Sequence, residues 1–365
     1  MNFLTKKAKE LIPYIPGEQP KDGKYIKLNT NENPYPPSPK AINSIKSANF
    51  DNLRLYPDPE STNLRKEYAQ LLGLQSDNIF VGNGSDEVLA TAFQAFYMGK
   101  TNILMPNITY SFYPVYCSLY NIKAKEIPLK EDYTIDINDY LVPNNGIVIA
   151  NPNAPTSIAL TKDEIETIVK YNPNNVVLID EAYIDFGGES VVYLVNKYNN
   201  LLVVKTLSKS YSLAGIRVGF AIGNKELIAG MNRVKNSFNS YPIDILAQIG
   251  AIEAIQDTEY FNITRNMIIA TRETVAEKLK ELGFTVLNSK TNFLFITHKE
   301  KNAEDIFKFL KENKILVRYF KKPRLDNGLR VTIGTDKEMN KFIEIMNKFV
   351  KEWGSNEFKI SKTMH

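Results

Sequence analysis

A lysine with hydroxyl side chains on either side of it lies between two apolar runs, in the segment TLSKSYSLAGIRVGF of this 365-residue chain. Thr206 and Ser208 come just before Lys209, and Arg217 follows eight residues after it. A lysine that is shielded from water is an amine that reacts with carbonyl groups, and hydroxyls with a guanidinium group can bind a phosphate. A solvated surface position explains most single lysines, but the whole pattern predicts a reactive amine beside a phosphate site.

The segment GNGSDE, residues 82–87, is a second candidate for anion binding. A glycine-flanked turn that opens a helix exposes backbone N–H groups, and the helix dipole favours an anion there by about 0.3–1 kcal/mol. Ser85 and Asp86 are expected in the first turn of that helix. The alternative is an ordinary N-cap, in which Ser85 or Asp86 caps the helix and binds nothing else.

Two further segments, VVLIDEAY and NPNAPTS, place polar side chains directly after apolar runs. Asp180 ends one run, and a buried carboxylate is costly unless it meets a cation or several donors. The structural alternative is an ion pair with a nearby lysine or arginine. Tyr183 follows three residues later and can reach the same place. Asn153 lies between two prolines, where a structural turn explains it equally well.

The elements that must position these residues are short apolar strands alternating with helices. NIFVGNG, NILMP, GIVIANPN, VVLIDEAY, LLVVKTLS and VGFAIG read as strands, and helical segments such as TKDEIETIVKY lie between several of them. This pattern predicts an α/β fold with a mostly parallel sheet covered on both faces, and such sheets bind ligands where their strands end. A smaller α+β C-terminal domain is expected after it.

The domain boundaries follow from composition and pattern. We expect an N-terminal segment over residues 1–45, a large domain over 46–260 and a small domain over 261–365. The N-terminal segment is rich in proline and can hardly fold alone, so it should pack on other structure. The last residues, EFKISKTMH, are expected to form a frayed tail.

Composition excludes several classes of function. The net charge is only +4 and no basic stripe occurs, so nucleic acid is not an expected partner. Cys117 is the only cysteine, and neither a signal peptide nor an apolar run long enough for a membrane is visible, which favours the cytoplasm. With histidine at positions 298 and 365 alone, a Ser-His-Asp hydrolase or a metal site is not expected.

Taken together, these segments resemble the fold-type I aminotransferases that depend on pyridoxal 5′-phosphate (PLP), and within them the histidinol-phosphate aminotransferase group. The resemblance covers nearly the whole chain. Its segments arrive in the family's order and spacing: KLNTNENPYPPSP, LYPDPES, GNGSDE, NPNAPT, IDEAY, TLSKSYSLAGIRVGF and LRVTIGT.

The resemblance implies a role for each candidate. Lys209 would bind PLP as a Schiff base, Asp180 would pair with the protonated pyridine nitrogen, and Tyr183 with Asn153 would bind the phenolic oxygen. The family often has asparagine where this chain has Ala154, and glycine where it has Ser157. The remaining cofactor contacts implied are phosphate binding by Ser85, Asp86, Thr206, Ser208 and Arg217, ring stacking by Tyr110, and a reach by Tyr56 to the phosphate in the other subunit of a homodimer. For both tyrosines, a packed aromatic side chain is the alternative.

For the substrate, the resemblance implies that Arg330 binds an anion, with Arg318 as a second candidate. Tyr14 and the residues from Asn31 to Asn33 would close the site from the N-terminal segment, unless that segment is a surface strap without ligand contact. The implied reaction converts L-histidinol phosphate and 2-oxoglutarate to imidazole acetol phosphate and L-glutamate, a step of histidine biosynthesis. Alternatives are an aminotransferase for aromatic amino acids, or a PLP-dependent decarboxylase of a phosphorylated amino acid.

Overall fold

The apolar runs of the sequence become strands whose side chains are almost completely buried. The computed structural model describes residues 3–20 and 25–354, and the predicted C-terminal tail lies outside these residues. The strands within them are β1 (Ile26–Lys27), β2 (Ile79–Asn83), β3 (Thr101–Pro106), β4 (Lys123–Ile127), β5 (Ile147–Ala150), β6 (Val177–Asp180), β7 (Leu201–Thr206), β8 (Val218–Gly223), β9 (Thr285–Val286), β10 (Phe293–Thr297), β11 (Ile315–Leu316), β12 (Arg318–Tyr319) and β13 (Gly328–Thr332).

Seven of these strands form one sheet in the order β2-β8-β7-β6-β5-β3-β4. The pairs from β7 to β4 are parallel, and β8 runs antiparallel to both of its neighbours. Strands β5, β6 and β7 are buried along their whole length, as expected for a sheet with helices on both faces. The prediction of a mostly parallel sheet is therefore confirmed, with β8 as its exception.

Helices connect these strands, and several of them begin at side-chain caps. The capping box of Thr161 and Glu164, for example, starts the helix that covers β5 and β6. The α-helices of the described residues are α1 (Lys6–Glu10), α2 (Pro39–Lys46), α3 (Thr62–Leu72), α4 (Gly84–Phe96), α5 (Tyr113–Leu119), α6 (Lys162–Tyr171), α7 (Lys225–Asn236), α8 (Ile245–Gln256), α9 (Thr258–Glu281), α10 (Ala303–Glu312) and α11 (Asp336–Gly354).

The C-terminal part of the chain has its own small sheets and its own core. Antiparallel strands pair in the order β12-β13-β10-β9, and β1 from the N-terminal segment pairs in parallel with β11. Leu28, next to β1, is buried in the same core as residues of α9, α10 and α11. Ala41 on α2 belongs instead to the core of the seven-stranded sheet. The N-terminal segment thus contacts both cores.

We propose that these two cores are separate domains, divided close to the start of α9, as the expected boundary between residues 260 and 261 implies. The large domain then holds the seven-stranded sheet and the small domain holds α9, α10, α11 and the four-stranded sheet. Of the helices within residues 3–20 and 25–354, none combines the length and the hydrophobicity that a bilayer crossing requires.

Candidate active site

A cavity of about 520 Å³ opens where the parallel strands β3, β5, β6 and β7 end. It lies between the large sheet and the loops around β12 and β13. Because the carboxyl ends of parallel strands meet at one edge, side chains far apart in sequence come together here. The predicted site residues that line it are Tyr14, Ser85, Asp86, Tyr110, Asp180, Tyr183, Ser208, Lys209, Arg217, Arg318 and Arg330.

Lys209 lies in the turn that follows β7, and its side chain faces this cavity. Its Nζ donates to the carbonyl oxygen of Thr30 at 3.4 Å and lies 5.8 Å from the centre of the Tyr183 ring. The hydroxyl of Tyr183 accepts a hydrogen bond from Asn31 Nδ2 at 3.0 Å. The lysine amine and the tyrosine hydroxyl therefore face the same space, and residues of the N-terminal segment hold both.

Asp180, the last residue of β6, is only 5% exposed. Its Oδ2 accepts from the hydroxyl of Tyr113 at 2.8 Å, and its Oδ1 accepts from the backbone N–H of Ala182 at 3.1 Å. Burial raises the pKa of this carboxyl to about 6, although both hydrogen bonds act in the opposite direction. The alternative of an ion pair is not observed, because no lysine or arginine of the described residues pairs with Asp180. The wall of the cavity therefore carries a buried acid without a cation.

The phosphate candidates meet at the start of α4. Gly84 opens this helix at φ +75°, and a Cβ on Gly219 would lie only 2.5 Å from the backbone nitrogen of Ser85. Glycine at position 219 therefore lets β8 approach the helix N-terminus closely. The N-cap position belongs to Asn83, which makes no side-chain cap, so the alternative that Ser85 or Asp86 caps the helix is not observed.

Arg217 lies beside the same helix N-terminus. Its Nη2 is 2.9 Å from Asp86 Oδ2, and Asp86 Oδ1 accepts from the hydroxyl of Tyr110 at 3.1 Å. Ser208, also in the cavity wall, bonds through its Oγ to Thr206 Oγ1 at 3.0 Å. A guanidinium group, a hydroxyl and helix N–H groups thus border one corner of the cavity, which is a donor set that suits a phosphate.

Two arginines, Arg318 and Arg330, also line the cavity. Arg330 Nη2 donates to the carbonyl oxygen of Asn29 at 2.9 Å, while its Nε is buried without a hydrogen-bond partner among the described residues. Burial lowers the pKa of Arg330, and its guanidinium group lies between the rings of Phe293 and Phe320, 5.3 Å and 5.6 Å from their centres. No carboxylate of the described residues pairs with it, so this side suits an anionic ligand.

Arg318 reaches the N-terminal segment instead of an acid. Its guanidinium group donates to the carbonyl oxygens of Pro16 at 3.4 Å and Ile15 at 3.3 Å. Tyr14, two residues before Pro16, stacks on Phe112 with ring centres 4.9 Å apart and lines the cavity. The N-terminal segment therefore forms part of the cavity wall, and a surface strap without any part in the cavity is not what the structure has.

Four predicted residues do not line the cavity. Thr206 lies beneath Ser208, and Asn33 donates its amide to the carbonyl oxygens of Lys209 at 3.0 Å and Ser210 at 3.3 Å. Asn33 therefore supports the backbone of the lysine and does not reach the space for a ligand. Tyr56 is 82% exposed and stacks on Tyr241 with ring centres 4.6 Å apart, outside the cavity of its own chain.

Asn153 is the fourth, and its amide points into the protein. Its Nδ2 donates to the carbonyl oxygen of Ile108 and to Thr156 Oγ1, both at 2.9 Å, and its Oδ1 has no partner among the described residues. Ala154 and Pro155 line the cavity in its place. The expected amide contact to a cofactor oxygen is thus not prepared at position 153. Ser157, where the family often has glycine, takes a left-handed φ of 68°.

Comparison with known proteins gives the family. The family model for aminotransferases of class I and II matches residues 23–346. The histidinol-phosphate aminotransferase of Brachyspira hyodysenteriae is 57% identical over 96% of this chain and 99% of its own length. That of Clostridium acetobutylicum is 54% identical over 94% of this chain and 97% of its own. The chain belongs to the histidinol-phosphate aminotransferase family.

Solved structures agree with this family on the fold. The crystal structure of histidinol-phosphate aminotransferase from Sinorhizobium meliloti, described as a complex with pyridoxal-5′-phosphate, superposes with a TM-score of 0.86. It is 19% identical and covers 97% of this chain and 99% of its own. At that identity the likeness concerns the fold alone. The fold class and the family resemblance expected from the sequence are both confirmed.

The residues around the cavity fit the cofactor that this aminotransferase family uses. A pyridinium nitrogen would give Asp180 the cation that it lacks, and the corner at α4 offers donors to a phosphate group. Gly219 has no Cβ where one would block that corner. Lys209 provides an amine in the same cavity. Each of these groups matches one part of PLP.

Sequence reasoning missed Tyr113, whose hydroxyl contacts the Asp180 carboxylate. It belongs to the segment NITYSFYP after β3, from which Tyr110 was chosen as the aromatic residue of the site. Only the direction of α5 decides which tyrosine reaches β6, and the spacing of aromatic residues does not encode that direction. Asn31, which contacts Tyr183, belongs to the stretch from Asn31 to Asn33 in NTNENP that the resemblance implies at the site.

Proposed function

We propose that this protein is a PLP-dependent aminotransferase that converts L-histidinol phosphate and 2-oxoglutarate to imidazole acetol phosphate and L-glutamate. One observation carries this proposal: one cavity is lined by Lys209, by Asp180, which pairs with no cation of the described residues, and by Arg318 and Arg330, which pair with no carboxylate of those residues. The choice of substrate is supported by curated histidinol-phosphate aminotransferases whose sequences are 57% and 54% identical to this chain. The reaction belongs to histidine biosynthesis.

The cofactor would be held at its three functional groups. Asp180 would face the ring nitrogen, the corner of Ser85, Ser208 and Arg217 would hold the phosphate, and Tyr183 would donate to the ring oxygen. When bound, PLP supplies an electron-withdrawing ring that stabilises negative charge on the substrate carbon next to the amino group. Asp180, ionised opposite a cation, keeps the ring nitrogen protonated, and its burial strengthens this electrostatic effect.

Lys209 is the general base and acid of the proposed reaction. Its amine accepts the proton from the substrate carbon that carries the amino group, and later delivers a proton on the way to product. The Tyr183 hydroxyl is held by Asn31, and Asn33 holds the backbone of Lys209, so both groups are oriented before substrate arrives. Tyr110 lies in the cavity wall, where it can stack on the ring.

The two arginines give the site its preference for anionic substrates. Histidinol phosphate carries a phosphate and 2-oxoglutarate carries a distal carboxylate, and both accept paired hydrogen bonds from guanidinium groups. Arg330 would bind the anion with its unused Nε, while Arg318 would exchange a carbonyl of the N-terminal segment for the anion. Tyr14 closes the same side. One pocket can therefore serve both half-reactions.

We further propose that the protein acts as a homodimer in which Tyr56 reaches the cofactor phosphate of the other subunit. Tyr56 and Tyr241 stack on the surface, and exposed apolar side chains lie close to each in sequence: Phe50, Leu53, Leu55 and Phe238. Large exposed apolar patches mark interaction sites. A second copy would cover this patch and give Tyr56 the ligand that its own chain does not place near it.

The cytoplasm is the proposed location. The single cysteine, Cys117, is buried and cannot form a disulfide within the chain. A protein with no internal disulfide is suited to a reducing compartment.

The reaction is tested by incubating the PLP-loaded protein with L-histidinol phosphate and 2-oxoglutarate and measuring glutamate. We expect glutamate to form in proportion to enzyme and to require both substrates. An aromatic amino acid in place of histidinol phosphate, and a measurement of carbon dioxide from a phosphorylated amino acid, serve as controls for the alternative reactions. Faster turnover in either control would replace the proposed reaction by that alternative.

A further inference from the structure

Lys205 on β7 is a buried lysine that does not line the cavity, although Lys209 follows it by four residues. Its Nζ lies 3.1 Å from Asp185 Oδ1 and 3.6 Å from Glu181 Oε2. The three side chains are 10%, 19% and 0% exposed, respectively. Burial alone would lower the pKa of Lys205, but the two carboxylates raise it to about 12. We call Lys205, Glu181, Asp185 and their partner Ser210 the Lys205 cluster.

Asp185 uses its two oxygens in two directions. Oδ1 faces Lys205, and Oδ2 accepts a hydrogen bond of 2.6 Å from the hydroxyl of Ser210. Ser210 follows Lys209 directly, and Asp185 follows Tyr183 by two residues, in the short 3-10 helix Ile184–Phe186. One carboxylate therefore joins the backbone segment of Tyr183 to the backbone segment of Lys209.

The same two segments are also held from the side of the N-terminal segment. Asn31 donates to the hydroxyl of Tyr183, and Asn33 donates to the carbonyl oxygens of Lys209 and Ser210. Asn33 uses the backbone carbonyl of Ser210, whereas Asp185 uses the hydroxyl of its side chain. Each segment is thus fixed at two points, one of them in the Lys205 cluster.

We propose that Asp185 is a positioning residue, which sets the place of Lys209 relative to Tyr183 through Ser210. Lys205 supplies a positive charge 3.1 Å from this carboxylate. A hydrogen bond to an ionised acceptor is roughly twice as strong as one between neutral groups. The bond from Ser210 to Asp185 therefore holds the two backbone segments together firmly. The inference rests on the proposed role of Lys209 as the residue that condenses with PLP.

Position matters because the amine must meet a carbonyl carbon at a defined distance. A displacement of about 1 Å in such a site can cost roughly a hundredfold in rate. Loss of the hydrogen bond between Ser210 and Asp185 should therefore slow the capture of PLP by Lys209 and lower kcat. KM should change little, because Arg318 and Arg330 are untouched. A merely structural role would lower thermal stability and leave the rate of capture unchanged.

The test uses the full-length chain, freed of cofactor and mixed rapidly with PLP, and follows the growth of visible absorption. The variants are Ser210→Ala, Asp185→Ala and the conservative Asp185→Asn, which keeps an acceptor for Ser210. Thr271→Val is the matched control, because Thr271 makes a hydroxyl–carboxylate bond of the same 2.6 Å length to Asp336 in the small domain. Thermal midpoints, kcat and KM are measured on the same preparations.

We expect Ser210→Ala to capture PLP about tenfold more slowly and to lose kcat by a similar factor, at nearly unchanged KM. Asp185→Asn should recover part of what Asp185→Ala loses, and Thr271→Val should capture PLP as the wild type does. Capture at the wild-type rate by Ser210→Ala would overturn the inference, even if Asp185→Ala does not fold. A wild-type chain that fails to capture PLP would overturn the proposed function, and this inference with it.

Discussion

Two sets of charged groups lie around Lys209, and they differ in whether each charge has a partner of opposite sign. In the cavity, Asp180 has no cation and Arg330 has no carboxylate among the described residues. In the Lys205 cluster, one ammonium group faces two carboxylates at 3.1 Å and 3.6 Å. The first set is incomplete until a ligand arrives, whereas the second is complete within the protein.

This difference separates binding groups from supporting groups more clearly than burial does. Asp180 and Glu181 are neighbours in sequence, both are buried, and the pKa of each is raised by burial. Glu181 nevertheless has Lys205, Ser190 and the N–H of Val191 as partners. A buried charge without its counterion is expensive to maintain, and a fold keeps such a charge where a ligand completes it.

The largest expected effect tests whether the reaction takes place in the cavity. Lys209→Ala should lower kcat by about 10⁴-fold or more, since it removes the amine that moves the proton. The fold should persist, because Lys209 makes no ion pair with any of the described residues. Steady-state glutamate formation and the thermal midpoint give the two readings. Turnover close to the wild-type rate would place the reaction elsewhere.

The next effect concerns the stability that the Lys205 cluster provides. Lys205→Met should lower the free energy of unfolding by about 3–5 kcal/mol, because it removes the cation that pairs with Asp185 and with the buried Glu181. Lys197→Met is the matched control: Lys197 pairs with Glu166 on the surface and is 63% exposed, so its loss should destabilise the protein far less. Urea unfolding measures both. Equal losses of unfolding free energy in the two variants would show that the ion pairs of the Lys205 cluster stabilise the fold no more than a surface ion pair does.

Asp180→Asn should have opposite effects on activity and on stability. In the loaded enzyme we expect a loss of about 3–4 kcal/mol of transition-state stabilisation, by analogy with other preorganised charges. In the cofactor-free protein the same change should be stabilising above pH 6, since the wild type then keeps an ionised carboxylate buried. A variant that is slow and also less stable at every pH would assign Asp180 a structural role.

The pH dependence of that stability has a definite sign. The pKa of Asp180 is about 6 in the folded chain against an ordinary value of 3.8, so the folded state binds the extra proton between these values. Stability from this group is therefore full below pH 3.8 and is lost as the pH rises to about 6, by at most about 3 kcal/mol. Thermal midpoints of wild type and Asp180→Asn, without cofactor, should converge in acid and separate towards neutral pH.

The smallest expected effect concerns Arg330, the arginine of the cavity that pairs with no carboxylate of the described residues. Arg330→Lys keeps the charge but loses the paired hydrogen bonds, and KM should rise about tenfold for both substrates while kcat changes less. Inorganic phosphate should also raise the thermal midpoint of the wild type more than that of the variant. An unchanged KM for both substrates would leave Arg318 as the anion-binding residue.

The sequence predicts the strands and their ends well, because buried strands are apolar runs and polar residues must stop them. It does not give the direction of VGFAIG, which runs antiparallel as β8, since an apolar run reads the same in either direction. Asn153 illustrates a second limit: its amide turns towards Ile108, and only the fold around the turn decides that orientation. The pairing of Asp185 with Lys205 joins a 3-10 helix to a strand twenty residues further along the chain, so no local pattern predicts it.

The parallel pair of β1 and β11 has a consequence for how the chain is made. Ile26 leaves the ribosome long before its partner Ile315. Strand β1 and Leu28 therefore lack their partners until the residues of β11 and of the surrounding core have been made. Contacts so distant in sequence form slowly, and the exposed N-terminal segment is a natural binding site for chaperones during translation.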